Sequence, residues 1–290
     1  MSGTADGVAV LGTGIMGSAM AHNLLAAGLP TVVWDRSADA TTALGRAGAR
    51  VAGSPREAVA GARTVITMLP TAEVVESVML GNGTAEAFPR EAVWAQMGTI
   101  GLEATAGLVE RLRRVRPDVA FVDAPVSGSK GPAESGQLLV LASGPAAAAE
   151  PVVRPAFAAI GRKTVWLGPA GQGTAMKLAV NAYLSILVEG VAEALELAAH
   201  LGIEPARLAD AIEGGPLDAP LADAKLHKMR DGDFTPEFPL QWALKDVDLA
   251  IKAAGDDHLP LLEALSVRWK AVVDAGHGRE DISAARLAVG

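Results

Sequence analysis

A lysine and an asparagine one helical turn apart are the residues of this chain best suited to chemistry. Lys177 and Asn181 are four residues apart, and Gly173 precedes Lys177 by the same interval. At this spacing residues share one face of a helix, so a bare backbone patch, an ammonium and an amide form one stripe. Such a stripe can hold a small polar substrate, and the glycine predicts a close approach to the backbone there. A solvated lysine at the edge of a core helix is the alternative.

A glycine-rich turn near the start of the chain predicts a phosphate site. Residues 8–11 predict a buried strand, a Gly-x-Gly-x-x-Gly run follows it, and residues 18–27 predict a helix that stops at Gly28. In this order, free N–H groups and the helix dipole accept the diphosphate of a dinucleotide. A turn that merely packs a helix on a sheet is the alternative. The candidate phosphate-binding residues are Gly12, Thr13, Gly14, Ile15, Met16 and Gly17.

The end of the second predicted strand bears on the choice of cofactor. Residues 31–34 predict this strand, and Asp35 follows it, 18 residues after Gly17. A carboxylate there accepts hydrogen bonds from the adenosine ribose and repels a 2′-phosphate, which favours NAD. Arg36 and Ser37 could clamp that phosphate, which favours NADP. The residues therefore predict NAD(P) and leave both forms open.

Composition excludes several classes of function. The chain has 290 residues, 50% of them hydrophobic, a net charge of -8 and no cysteine. The charge argues against nucleic acid or an anionic membrane as partner. Disulfides, thiolate metal sites and a cysteine nucleophile are excluded, and no metal site is predicted. The first residues lack a signal-peptide pattern and no uncharged apolar stretch reaches about 18 residues, so we expect a cytoplasmic protein.

Alternating strand and helix patterns predict an α/β fold with a parallel sheet covered on both faces. Further strands are expected at residues 50–52, 64–69, 92–97, 119–123 and 138–142. Ligands of such sheets bind at the carboxyl ends of the strands. Small or polar turns follow three of these strands, at Leu69-Pro70-Thr71, Gly98-Thr99-Ile100 and Pro125-Val126-Ser127-Gly128-Ser129.

The pattern changes at about residue 168. Residues 172–200 predict one long helix that should be buried nearly all round, because it is apolar on most faces from residue 178 to 188. More helices are expected at 204–212, 220–229, 240–254, 259–275 and 281–287. We therefore expect an NAD(P)-binding Rossmann domain at residues 1–167 and an all-helical substrate and dimerisation domain at residues 168–290.

Four blocks in order make the chain resemble the β-hydroxyacid dehydrogenases, the family of 3-hydroxyisobutyrate dehydrogenase. They are residues 12–17, 123–134, 171–181 and the segment around Lys245-Asp246 after Phe238-Pro239-Leu240. The motif Ser-Gly-Ser-Lys-x-Pro-Ala-Glu at residues 127–134 is most similar to that of the glyoxylate/succinic semialdehyde reductase branch. The resemblance covers essentially the whole chain. It implies a dehydrogenase that interconverts a small hydroxy acid and its aldehyde or keto acid.

The resemblance also implies roles for single residues. Lys177 would be the general acid or base, and Asn181 would orient the substrate or the lysine. Substrate would be held by Ser127, Gly128 and Ser129, with Phe238 and Asp246 closing the pocket. The cofactor would be bound by residues 12–17, Asp35, Arg36, Ser37, Leu69, Pro70, Thr99 and Lys245.

Two departures from the family pattern leave alternatives open. Gly98 stands where a serine is usual, and Asp35 replaces the asparagine common in the NADP-using branch. An imine reductase shares the architecture but usually lacks a lysine at position 177, and a non-catalytic NAD(P)-binding module is a further alternative.

The apolar long helix predicts a homodimer or a homotetramer built through the helical domain.

Overall fold

The computed structural model describes residues 7–81 and 83–289. It divides into two compact units, Met1–Lys177 and Leu178–Gly290. The first unit contains a parallel sheet flanked by helices, and the second contains helices, so the predicted α/β class with a helical C-terminal part is confirmed.

Six parallel strands form the main sheet of the first unit, in the order β3-β2-β1-β4-β5-β6. This is the doubly wound order that binds dinucleotides at the strand ends. The strands are β1 (Gly7–Leu11), β2 (Thr31–Trp34), β3 (Arg50–Val51), β4 (Ala62–Thr67), β5 (Val93–Gln96) and β6 (Ala120–Asp123).

Two apolar clusters, one on each face, hold helices against this sheet. Alternate residues of β1 enter different clusters, Val8 and Val10 one and Ala9 and Leu11 the other, because successive side chains point to opposite faces. The helices are α1 (Ile15–Ala26), α2 (Ala38–Arg46), α3 (Pro55–Val59), α4 (Ala72–Leu80), α5 (Leu102–Val115), α6 (Lys130–Glu134) and α7 (Ala146–Ile160).

A second, three-stranded sheet corrects one expectation. The strand at residues 138–142 exists, as β8 (Leu138–Ala142), but it does not extend the parallel sheet. It pairs antiparallel with β7 (Val126–Ser127) and parallel with β9 (Gly161–Trp166). Neither partner was predicted: β7 is two residues long, and β9 carries Arg and Lys on an exposed stretch that hides its strand pattern.

The long helix is α8 (Gln172–His200), with the bounds expected from the sequence. The second unit continues with α9 (Pro205–Ile212), α10 (Pro220–Asp231), α11 (Leu240–Ala254) and α12 (Pro260–Val272). The expected final helix is a 3-10 helix at Ile282–Ala288. The hydrophobic core of the second unit joins Val188 and Leu195 of α8 to Leu244 and Trp269.

The expectation that α8 is buried nearly all round is wrong for the single chain. Tyr183 is 66% exposed and Leu197 is 59% exposed, although Val188 and Ala192 are fully covered. In the part of the chain that the structure describes, α8 is the one helix long and apolar enough to cross a membrane. Such a helix is also typical of a protein core, and one side of α8 forms the core of the second unit.

One buried carboxylate fixes where α8 begins. Asp123, at the end of β6, is completely buried. Its Oδ2 accepts hydrogen bonds from the backbone N–H of Thr174 at 2.8 Å and of Gly171 at 3.1 Å, and from the Ser143 hydroxyl at 3.1 Å. Its Oδ1 accepts from the Thr174 hydroxyl at 2.7 Å. Asp123 therefore satisfies N–H groups that a helix start would leave without partners.

Gly173 is explained by the same packing. A Cβ at this position would lie 2.3 Å from the Leu141 carbonyl oxygen and 2.8 Å from that of Asp123. The predicted close approach to the backbone at Gly173 is therefore confirmed, and the close neighbour is the protein's own backbone. Because a side chain cannot enter, α8 starts in contact with β6 and β8 and carries Lys177 one turn later.

We predict that Asp123→Ala lowers the free energy of unfolding by about 2–4 kcal/mol, because it leaves several buried donors without an acceptor. Asp123→Asn should cost about 1 kcal/mol or less, since its amide oxygen can replace Oδ2 and the Thr174 hydroxyl can turn to accept from the amide. Urea unfolding of both variants measures the difference. Equal losses would contradict the capping role.

Candidate active site

The glycine turn after β1 has the shape that a bound diphosphate requires. A Cβ at Gly17 would lie 1.9 Å from the Gly12 carbonyl oxygen, and one at Gly12, where φ is +94°, would lie 2.4 Å from that of Met68. These two glycines let the turn and α1 pack against β1 and β4. A Cβ at Gly14 would meet no atom within 4 Å, so the turn is open on the side where a ligand would approach.

The start of α1 is suited to a negative charge. Its N-cap residue is Gly14, which supplies no side-chain hydrogen bond, and the first turn contains no acidic residue. The positive end of the helix dipole is thus not neutralised by the helix itself, which favours an anion. The residues present therefore fit a dinucleotide diphosphate at this turn.

Asp35 is held firmly at the end of β2. Its Oδ2 accepts hydrogen bonds from the Thr13 backbone N–H at 2.7 Å and the Thr13 hydroxyl at 3.2 Å, and its Oδ1 accepts from the Ser37 N–H at 3.0 Å. Carboxylate oxygens carry further lone pairs, so ribose hydroxyls can still bind. Arg36 and Ser37 are exposed beside it.

The turns after β4 and β5 lie side by side at the same edge of the sheet. Thr67 of β4 pairs with Leu11 of β1 and with Gln96 of β5, so the strands end together. Leu69 and Pro70 follow β4, and Thr99 follows β5. The structure thus brings these predicted cofactor residues to the edge that carries the glycine turn.

Gly98 departs from the family pattern for a visible reason. A Cβ at position 98 would lie 2.4 Å from the Leu69 carbonyl oxygen. The Gln96 side chain holds the turn, since its amide donates to the Gly98 carbonyl at 2.6 Å and its oxygen accepts from the Gly98 N–H at 3.1 Å. The two turns are therefore closer together than a serine would allow.

Ser127 and Gly128 lie at the end of the short strand β7, which follows β6. Ser127 is the last residue of β7, opposite Leu139 of β8. Gly128 has φ of +136°, and a Cβ there would lie 2.8 Å from the Leu138 side chain. Gly128 is exposed, and Ser127 and Ser129 are partly exposed, so their polar groups are accessible to a small ligand.

Lys177 lies five residues after the first residue of α8 and is partly buried. Its helix is anchored by Asp123, the residue at the end of the strand that precedes Ser127. Burial raises the pKa of the Asp123 carboxyl, while hydrogen bonds from Thr174, Ser143 and Gly171 act in the opposite direction. Sequence analysis placed Asp123 within a motif but gave it no role.

In the second unit, Asn181, Asp246 and Lys245 are in direct contact. The Asn181 side-chain amide donates to Asp246 Oδ2 at 2.6 Å, and the Lys245 ammonium lies 2.9 Å from Asp246 Oδ1. Asn181 is 2% exposed and Asp246 is 4% exposed. The Asn181 side-chain oxygen is buried and accepts no hydrogen bond from the described residues. That oxygen is therefore an acceptor to which a ligand or a neighbouring donor can bind.

Phe238 is positioned by a different carboxylate. Asp281 Oδ2 accepts from the N–H groups of Glu237 at 3.0 Å and Phe238 at 3.1 Å, while Oδ1 lies 2.8 Å from the buried Lys225 ammonium. Burial tends to raise the pKa of Asp281, but the hydrogen bond and charge of Lys225, together with the backbone hydrogen bonds from Phe238 and Glu237, outweigh it and the pKa is lowered. Neither Lys225 nor Asp281 was predicted as a site residue, although an Asp before a short helix, such as Asp281, is a recognisable N-cap signal.

Comparisons with known proteins agree with this geometry. Residues 7–168 match the model of the NAD binding domain of 6-phosphogluconate dehydrogenase. Residues 171–288 match the model described as NAD-binding of NADP-dependent 3-hydroxyisobutyrate dehydrogenase.

Individual relatives cover nearly the full chain. Glyoxylate/succinic semialdehyde reductase 1 of Arabidopsis thaliana is 34% identical over 97% of this chain and 98% of its own. The 3-sulfolactaldehyde reductase of Escherichia coli K12 is 33% identical, over 96% and 93%. A crystal structure of 3-hydroxyisobutyrate dehydrogenase from Salmonella typhimurium is similar with a TM-score of 0.89 and 26% identity, over 97% and 98%.

One assignment follows from these findings. The chain has a dinucleotide-binding turn and a capped helix that carries a lysine, and two family models match consecutive parts of it. The chain belongs to the 3-hydroxyisobutyrate dehydrogenase family of NAD(P)-dependent β-hydroxyacid dehydrogenases.

Proposed function

We propose that this protein interconverts a small hydroxy acid and its aldehyde or keto acid, with Lys177 as general acid and base. The observation that carries the proposal is the start of α8, where Asp123 anchors the helix one turn before Lys177. A proton donor must be held in place, and a helix capped in the core does this better than a loop.

When bound, NAD(P)H would supply the hydride for reduction, and NAD(P)⁺ would accept it in oxidation. Lys177 donates a proton to the carbonyl oxygen during reduction and accepts it back during oxidation. Ser127 and Gly128 bind the carboxylate of the substrate through their exposed polar groups, with Ser129 beside them. Substrates should therefore be small acids that carry a second, reducible carbonyl.

Asn181 orients the substrate or the lysine through its side-chain oxygen. Since its amide group already donates to Asp246, the oxygen is left to accept a hydrogen bond from an ammonium or a hydroxyl. In this proposal Asp246 acts through Asn181 as well as closing the pocket with Phe238. Lys245, which also contacts Asp246, binds the cofactor.

The substrate branch that the motifs favour is glyoxylate or succinic semialdehyde. The test is the fall in NAD(P)H absorbance on adding glyoxylate, succinic semialdehyde, tartronate semialdehyde or methylmalonate semialdehyde, with each cofactor. An imine reductase would instead consume NADPH with a cyclic imine, and a non-catalytic binding module would consume none. Turnover with a carboxylate-bearing aldehyde and none with the imine supports the proposal.

We expect Lys177→Ala to lower kcat by about 10²-fold or more, because it removes the proton donor. Binding of NADH should be unchanged, since Lys177 is not proposed to bind the cofactor. Lys177→Arg is the matched control: it keeps a positive charge but cannot lose its proton, so it should be nearly as inactive. Steady-state kinetics and NADH titration measure both effects. Near wild-type turnover of either variant would reject the assignment.

Asp35 and Arg36 together should allow both dinucleotides to bind. Asp35→Asn should shift the ratio of kcat/KM toward NADP by about tenfold, because it removes a charge that repels the 2′-phosphate. Arg36→Ala should shift it toward NAD. Kinetics with both cofactors measure the ratio. If the Asp35 variant leaves it unmoved, Asp35 is not the ribose ligand.

We propose further that the protein works in the cytoplasm as a homodimer or homotetramer joined through its helical part. The exposed apolar side chains there, which include Tyr183, Leu197 and Leu201, need a partner surface. Sedimentation at micromolar concentration should give at least twice the 29.6 kDa chain mass. Leu197→Glu should weaken the assembly, and Glu204→Gln serves as a control. A wild-type monomer would refute the proposal.

A further inference from the structure

A groove beside the phosphate turn contains a lysine that the proposed mechanism does not use. The groove has a volume of about 640 Å³ and lies entirely within the first unit. One wall is formed by Gly14, Ser18 and His22, and the other carries Lys130 and Glu134. The first wall is one face of α1, since these residues are four apart, and it begins at the open glycine of the phosphate turn.

The backbone position of Lys130 is set by the packing of α6 on α1. The Asn23 side-chain amide of α1 donates a hydrogen bond to the Ala133 carbonyl at 2.7 Å, and Ala133 is completely buried. The backbone that carries Lys130 is therefore attached to the helix whose start binds the phosphate. The lysine is part of a defined wall of the groove.

Lys130 has only a weak partner in this structure. Its ammonium lies 3.8 Å from the Glu134 carboxylate, and both side chains are about half exposed, 47% and 57%. An exposed ion pair at this distance contributes little, so the lysine can turn to a better anion. A phosphate at the start of α1 would be such an anion, because charge-assisted bonds to phosphate are stronger.

The substrate carboxylate is a less suitable ligand for Lys130. The groove is lined by Thr13, Gly14 and Ile15 of the phosphate turn, whereas Ser127 and Gly128 are not among its lining residues. The lysine therefore shares its cavity with the diphosphate site. Glu134 in the same wall repels a phosphate and limits how tightly it binds.

We propose that Lys130 binds the diphosphate of the dinucleotide from the α6 side of the groove, and that Glu134 weakens this contact. The inference rests on NAD(P) binding by the family to which the chain belongs. It assigns a cofactor contact to the Ser-Lys-Gly-Pro segment, next to residues proposed to bind substrate. The two residues should act on cofactor affinity with opposite sign.

The test is equilibrium binding of NADH, ADP-ribose and adenosine to the intact protein, followed by fluorescence or by competition with NADH. Lys130→Gln should raise Kd for NADH and ADP-ribose about tenfold and leave the Kd of adenosine, which has no phosphate, unchanged. Glu134→Gln should lower Kd for NADH about twofold. Lys163→Gln, on the exposed strand β9, is the matched control and should change none of them.

Three results would overturn the proposal. They are a Kd for NADH in Lys130→Gln that equals that of Lys163→Gln, an equal loss of adenosine binding, and an unchanged Kd with a raised KM for the carboxylate substrate. The last result would assign Lys130 to the substrate. Failure of the wild-type protein to bind any dinucleotide would instead refute the cofactor assignment, so the two failures are distinguishable.

Discussion

The carboxylate of Asp123 is the group on which the candidate catalytic arrangement depends most. Asp123 is the last residue of β6, and its carboxylate accepts hydrogen bonds from the first turn of α8 and from the hydroxyl of Ser143, which follows β8. Three elements therefore meet at one buried side chain. A charged group without a cation is costly in such a place, which explains why burial raises its pKa although four hydrogen bonds favour the ionised form.

The second unit also contains a buried carboxylate, and there an ammonium group lies beside it. Asp281 is as deeply buried as Asp123 and also accepts backbone N–H groups, but it faces the Lys225 ammonium and its pKa is lowered. Each carboxylate positions a proposed site residue through the backbone. Asp123 holds the start of α8, which carries Lys177, and Asp281 holds the backbone of Phe238. In both sites backbone hydrogen bonds favour the ionised carboxylate, but only Asp281 also has a buried ammonium beside it, and only its pKa is lowered.

The elements that the sequence predicts well are those with a strong local cause. The bounds of α8 and α11 follow from long runs of helix formers, and the phosphate turn follows from its glycines. The β7 strand was missed because two residues show no periodicity. The contacts of Asp123 and of Lys225 could not be predicted, because they join positions 12 to 56 residues apart in the chain. The close approach at Gly173 was predicted but its neighbour was not, because a glycine signals a close approach without identifying the neighbour.

The turns after β4 and β5 also constrain each other in this protein. Gly98 fits because the Leu69 carbonyl occupies the space of a side chain, and Gln96 binds the glycine backbone on the other side. A serine at position 98 therefore requires the Leu69 turn to withdraw first. In evolutionary terms this is epistasis: a side chain at position 98 is tolerated only in a background whose β4 turn leaves room for it.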